Sequence, residues 1–117
     1  MAAPNIVNVT TITGKTSVLA IGTTAGAIVS NPSGSGLVYK VNALYIANVD
    51  GSVNADVDID VYRGAVAYRL AKLVTVPSKA TLDLISKSIY LEEGDSLRLT
   101  ASSTLKLEGT CSYEVIG

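Results

Sequence analysis

The chain has 117 residues, of which 16% are charged, with a formal net charge of −1, a pI near 5.2 and a mean hydropathy of +0.39. That length suits one domain, 1–117, with a sizeable core, and the charge balance argues against a nucleic-acid or anionic-membrane partner. A single cysteine, Cys111, rules out a disulfide framework within the chain, and the lack of histidine removes the Ser–His and Cys–His nucleophile systems along with the commonest zinc ligand.

The opening MAAPNIVNV lacks the basic start and long apolar core of a signal peptide. Pro4 to Thr13, rich in β-branched residues and weakly alternating, reads as a first strand or as an N-terminal arm (residues 1–9) laid on a neighbour. Gly14-Lys15 interrupts it, and Thr16 to Ile21 reads as a short second strand. Gly22 to Gly26 punctuates again before Ala27-Ile28-Val29. Residues 17–29 are apolar but too short and too interrupted for a membrane span. Ser30 to Gly36, SNPSGSG, is an exposed connection of small and turn-forming residues.

The most strongly patterned stretch runs from Leu37 to Arg63. Val53, Ala55, Val57, Ile59 and Val61 alternate with Asn54, Asp56, Asp58, Asp60 and Tyr62, the period of a strand with one buried face. Asn48-Val49-Asp50-Gly51 supplies turn chemistry, so the whole stretch reads as a long hairpin. Arg63-Gly64 turns the chain. Val66 to Val76 shows helical spacing at Val66, Leu70 and Leu73, yet its β-rich flanks favour a strand ending at Pro77. Thr81 to Ile85, Ile89 to Leu91, Ser96 to Ala101 and Leu105 to Val115 follow as strands, the last with Leu105, Leu107, Gly109, Cys111, Tyr113 and Val115 inward. About eight short strands at this spacing predict an all-β fold, an antiparallel, jelly-roll-like β-sandwich.

Chemistry-bearing groups are sparse. Gly14-Lys15-Thr16 imitates the end of a phosphate-binding loop, but the glycine needed five residues earlier is Val9 and no helix follows. Asp56, Asp58 and Asp60 lie about 6.6 Å apart along one face of a strand, close enough for two carboxylates to share a cation. The simpler reading is a solvated acidic stripe with Arg69 and Lys72 as cross-strand cations. Glu92, Glu93 and Asp95 read as an exposed polar turn. Cys111 falls on the inward phase and reads as a buried, inert thiol. Tyr62 falls outward, where it could stack on a sugar or a partner; the chain has no tryptophan to help. The sequence assigns no catalytic, cofactor-binding or metal-ligating residue.

Charged residues normally make up about 25% of a globular chain. A Ser/Thr-rich β surface accounts for the shortfall here, as does a surface that largely faces other subunits.

The run VYKVNALYIANVDGSVNADVDIDVYRG, the strand ending VTVP, IYLEEGDSLRLTAS and the closing CSYEVIG resemble small virion structural proteins of tailed bacteriophages, above all those of marine cyanobacterial phages. The resemblance covers the chain from about Leu37 onward, with Tyr90 to Leu97 its most specific piece. It implies a non-enzymatic subunit of the virion, assembled in the host cytoplasm and bound to other virion proteins, foremost a major capsid protein. Capsid cement or decoration is the leading role it implies; neck, tail or fibre component and carbohydrate-binding adhesion domain are the alternatives. A homo-oligomer is expected, a trimer first among closed symmetries, contacting its lattice through the N-terminal arm and Ser30–Gly36.

Overall fold

The computed structural model describes residues 4–117, and among them nine strands form two packed antiparallel sheets. They are β1 (Ile12–Ala20), β2 (Gly26–Ser30), β3 (Val38–Asn48), β4 (Ala55–Arg63), β5 (Val66–Val76), β6 (Thr81–Asp83), β7 (Ile89–Leu91), β8 (Ser96–Ala101) and β9 (Leu107–Ile116). One sheet runs β1-β9-β3, with β6 and β7 both paired to the far side of β3; the other runs β2-β8-β4-β5. If β6 and β7 are taken as one interrupted edge strand, each sheet alternates in the jelly-roll order. The expected sandwich is therefore the observed fold, and Val66 to Val76 is a strand, not a helix.

The predicted long hairpin does not form. β3 and β4 lie in different sheets: β3 pairs with β9, β6 and β7, and β4 pairs with β5 and β8. Alternation shows that a strand has one buried face, but two such strands can meet edge to edge or face to face. The connection is too long for a tight turn, and the buried side chain of Asn48 organises it. Asn48 Nδ2 donates to the Val53 carbonyl at 3.0 Å and the Val76 carbonyl at 2.9 Å, while its Oδ1 accepts the Asp50 amide at 2.9 Å. Val53 consequently sits exposed in the connection, not in β4.

The tight hairpin is β4–β5, across Gly64 (φ 59°) and Ala65 (φ 61°), the paired positive φ that fits strand twist in a two-residue turn. Glycine accepts this conformation freely; Ala65 bears its cost.

Gly14-Lys15 does not break the chain. Both lie inside β1, which pairs continuously with β9 from Ile12↔Ile116 to Ala20↔Glu108. An existing β9 ladder overrides weak local propensity. The phosphate-loop imitation is thus mid-strand. Pro4 to Thr11 forms no strand; it carries a turn closed by the Asn8 amide on the Asn5 carbonyl (3.0 Å) and meets the C-terminal end where the Gly117 amide donates to the Thr11 carbonyl (3.0 Å). Residues 1–3 of the expected arm lie outside the described residues.

The core fills the space between the sheets, with Leu44, Ile46, Val57, Ile59, Leu97 and Leu99 fully buried. Each such side chain contributes roughly 1.5–3 kcal/mol relative to exposure. Leu105 was expected inward but precedes β9, at φ 62° and 91% exposed.

Candidate functional site

On the outer face of the second sheet the three aspartates of β4 are bonded, not merely solvated. Asp56 Oδ1 accepts the Thr75 hydroxyl at 2.7 Å. Asp58 Oδ1 accepts the Leu73 amide at 2.6 Å, and its Oδ2 lies 3.6 Å from Lys72 Nζ and 3.8 Å from Arg69 Nε. Asp60 is only 1% exposed. Its register partners on both sides are arginines: Arg98 Nε donates to Oδ1 at 2.9 Å, and Arg69 Nη1 lies 3.8 Å from Oδ2. Arg98 also lies over the Tyr62 ring, its Cζ 3.9 Å from the centroid. The expected cations Arg69 and Lys72 are in place. Arg98 was missed, although its outward phase in the alternating Ser96–Ala101 strand signalled a surface cation. Two corrections follow: Asp60 belongs to a closed network rather than a wet stripe, and one face of Tyr62 is already occupied. Among the described residues no group of three His, Cys, Asp or Glu is placed to hold a metal ion.

The Glu92–Asp95 turn is likewise less exposed than expected. Asp95 is 2% exposed and receives Arg63 through Nε at 2.7 Å and Nη2 at 2.5 Å, plus the Glu92 amide at 2.8 Å. Arg63 Nη2 also reaches Glu92 at 2.9 Å. The Arg63 guanidinium and then the Glu92 amide hold the Asp95 carboxyl below the ordinary carboxylate range, against the opposing effect of burial; Asp95 in turn raises Arg63. The same turn fixes Ser30–Gly36, which is not a free loop. Asn31 donates to the Leu37 and Leu91 carbonyls at 2.9 and 3.0 Å and accepts the Ser35 hydroxyl at 2.6 Å, while the Gly36 amide donates to Glu93 at 3.0 Å. At the opposite end the Ser52 and Val53 amides, then Lys106, lower the Asp50 carboxyl.

Between β5 of one sheet and β7 of the other the sandwich opens into a cleft of about 400 Å³, lined by Val61, Arg63, Tyr68, Leu70, Ile89 and Tyr90. An adjoining hollow of about 310 Å³ continues it past Leu70 to Leu84–Ile89. The cleft is apolar, and its one cation is engaged by Glu92 and Asp95. β5 borders it as an edge strand with Val66, Tyr68, Leu70 and Leu73 exposed. That edge is irregular. Register shifts against β4 between Val57 and Ile59 and between Ile59 and Asp60 leave extra residues in β5, and Leu73 takes φ 50°. Such bulges interrupt the row of backbone groups that would accept another strand.

Burial pushes the Cys111 thiol up to about 11, so it is protonated and inert at neutral pH. Tyr113, inward as expected, stacks on Tyr39 with centroids 5.7 Å apart. The exposed large apolar side chains of β5, Val66, Tyr68, Leu70 and Leu73, stand beside this cleft.

The fold and this edge define a jelly-roll β-sandwich with an open apolar flank. No protein-family model and no curated protein matches the chain. Among solved structures it is similar to a chain from Bacillus endospore appendages, described as a family of disulfide-linked pili, at 15% identity, over 91% of this chain and 87% of that one, with a TM-score of 0.49. That level of likeness concerns the arrangement of strands alone.

Proposed function

We propose that this chain is a non-enzymatic structural subunit of a tailed-phage virion, a cement or decoration protein that stabilises the head lattice. The observation that carries the assembling role is the open flank: Val66, Tyr68, Leu70, Leu73 and Tyr90 stand exposed along one edge. Meanwhile Arg63, Arg69, Lys72, Arg98 and Lys106 are engaged within the domain. A chain with only 16% charged residues and an apolar edge favours coverage by other subunits over life as a lone domain. The phage assignment comes from the sequence resemblance of Leu37 onward. On this reading the chain assembles in the host cytoplasm, works as a homo-oligomer with a trimer favoured, and binds a major capsid protein through several modest contacts.

Immunogold labelling of purified virions with antibody against the recombinant chain tests the proposal. Label spread over the head supports cement; label confined to the neck, tail or fibres moves the chain to those structures; unlabelled particles overturn the virion role. A carbohydrate-binding adhesion domain is the second reading, favoured by one observation: Tyr68 and Tyr90 line the same cleft, where a sugar ring would stack. Glycan-array binding lost in Tyr68→Ala and Tyr90→Ala would select it.

A further inference from the structure

Asp50 is followed by Gly51, and no other aspartate or asparagine in the chain precedes a glycine. Such a step is where an aspartyl side chain most readily closes on its own backbone, because glycine leaves its amide nitrogen unshielded. The Gly51 nitrogen attacks Asp50 Cγ, a carboxyl oxygen leaves as water, and a five-membered succinimide forms. Water then reopens the ring at either carbonyl, giving back aspartate or producing isoaspartate. The water lost in the first step returns in the second, so the product is an isomer and no oxidant or cofactor is consumed.

The structure holds this chemistry back. Asp50 Oδ2 accepts the Val53 amide at 2.7 Å and the Ser52 amide at 3.1 Å, and Oδ1 accepts Lys106 Nζ at 3.2 Å. The Asp50 amide in turn donates to Asn48 Oδ1 at 2.9 Å. Only a protonated carboxyl can release an oxygen as water, whereas each donor to the carboxylate favours the anion. The Ser52 and Val53 amides, followed by Lys106, keep the carboxyl below its ordinary range. Lys106 belongs to the β8–β9 connection, and its carbonyl accepts the Val49 amide at 2.8 Å. The restraint thus depends on two connections staying together. Glycine itself is not demanded by the fold. Gly51 lies outside the left-handed region, and a Cβ there would meet only Lys79 Cε, at 3.9 Å.

Isoaspartate at this position adds one methylene to the main chain and leaves the carboxylate directly on Cα. The acceptor for Ser52, Val53 and Lys106 is then misplaced, close to the Asn48 side chain that organises the connection.

We propose that Asp50–Gly51 is a self-modifying isoaspartyl site, which the fold restrains through Lys106 and the amides of Ser52 and Val53. Opening of the β3–β4 connection away from the β8–β9 connection releases it. The inference stands apart from the virion role. Peptide mapping of the full chain, aged in neutral buffer at physiological temperature, tests it. Trypsin releases residues 41–63, and electron-transfer fragmentation separates aspartate from isoaspartate at each position. The chain unfolded in guanidinium chloride should accumulate isoaspartate at Asp50 ahead of Asp56, Asp58 and Asp60 in the same peptide. The folded chain should do so at least ~10-fold more slowly, since the bonds to the carboxylate must part first. Lys106→Met should raise the folded rate roughly 3-fold, and Lys106→Arg should return it to the wild-type value. Gly51→Ala should remove the signal in guanidinium chloride while leaving Tm unchanged. An unfolded chain without isoaspartate at Asp50, or one no faster than the folded chain, would overturn the proposal. So would a Lys106→Met rate equal to wild type, or one that Lys106→Arg does not correct.

Discussion

Asp95→Asn isolates the most concentrated electrostatic contact in the molecule. The side chain is almost fully buried and accepts three hydrogen bonds, two from Arg63 and one from the Glu92 amide. The amide keeps the shape but removes the charge and turns a donor toward donors. Losing a partner of a buried pair costs 3–5 kcal/mol, but Arg63 is half in solvent and recovers much of its hydration, so about 2 kcal/mol is expected at neutral pH. For a domain of this size that lowers Tm by roughly 8 °C, readable by circular dichroism at fixed protein concentration. The pH dependence gives the sharper check. Asp95 has a depressed folded pKa, so its stabilisation is complete above the unfolded value of 3.8 and is lost as pH falls through the folded one. The gap in Tm between wild type and variant should therefore be constant from pH 7 to 5 and close below about pH 4. Equal melting at pH 7, or a gap unchanged at pH 2.5, would refute the assignment of this pair as a stabilising clamp.

Val57→Asp or Leu99→Asp places a carboxylate in the fully buried core at a cost of several kcal/mol, and either should abolish soluble, β-rich protein on expression. Leu105→Gly should raise Tm by a few degrees, because the native φ of 62° strains leucine by about 1 kcal/mol while the exposed side chain gives up little packing. Cys111 should be silent to a thiol reagent in native buffer and react fully in denaturant; fast native labelling would contradict its burial.

How much was legible depended on where each element's support came from. β4 and β8 announce themselves because their own residues alternate, and Val57, Ile59, Leu97 and Leu99 are indeed inward. β1 was legible only in two pieces, since Gly14 and Lys15 carry little strand preference and are ordered by β9 from the far end of the sequence. The three aspartates could be seen as a row, but the burial of Asp60 depends on Arg69 and Arg98 flanking it, and strand order is not written in any local pattern. The cleft was illegible for the same reason. It is assembled from β4, β5 and β7, and none of these segments looks like a site alone.

The pairing of β1 with β9 also governs how the molecule can be made. On a ribosome, β1 emerges before the other eight strands, and the strand it needs emerges after all of them. Its sheet cannot close until β9 has emerged, so folding should be slow, as non-local β pairing dictates. During that wait an apolar, strongly β-forming first strand would seek other chains. Gly14, Lys15 and Ser17 make β1 a poor template for such contacts. The residues that split this strand in a reading of the sequence also protect the nascent chain until its partner arrives.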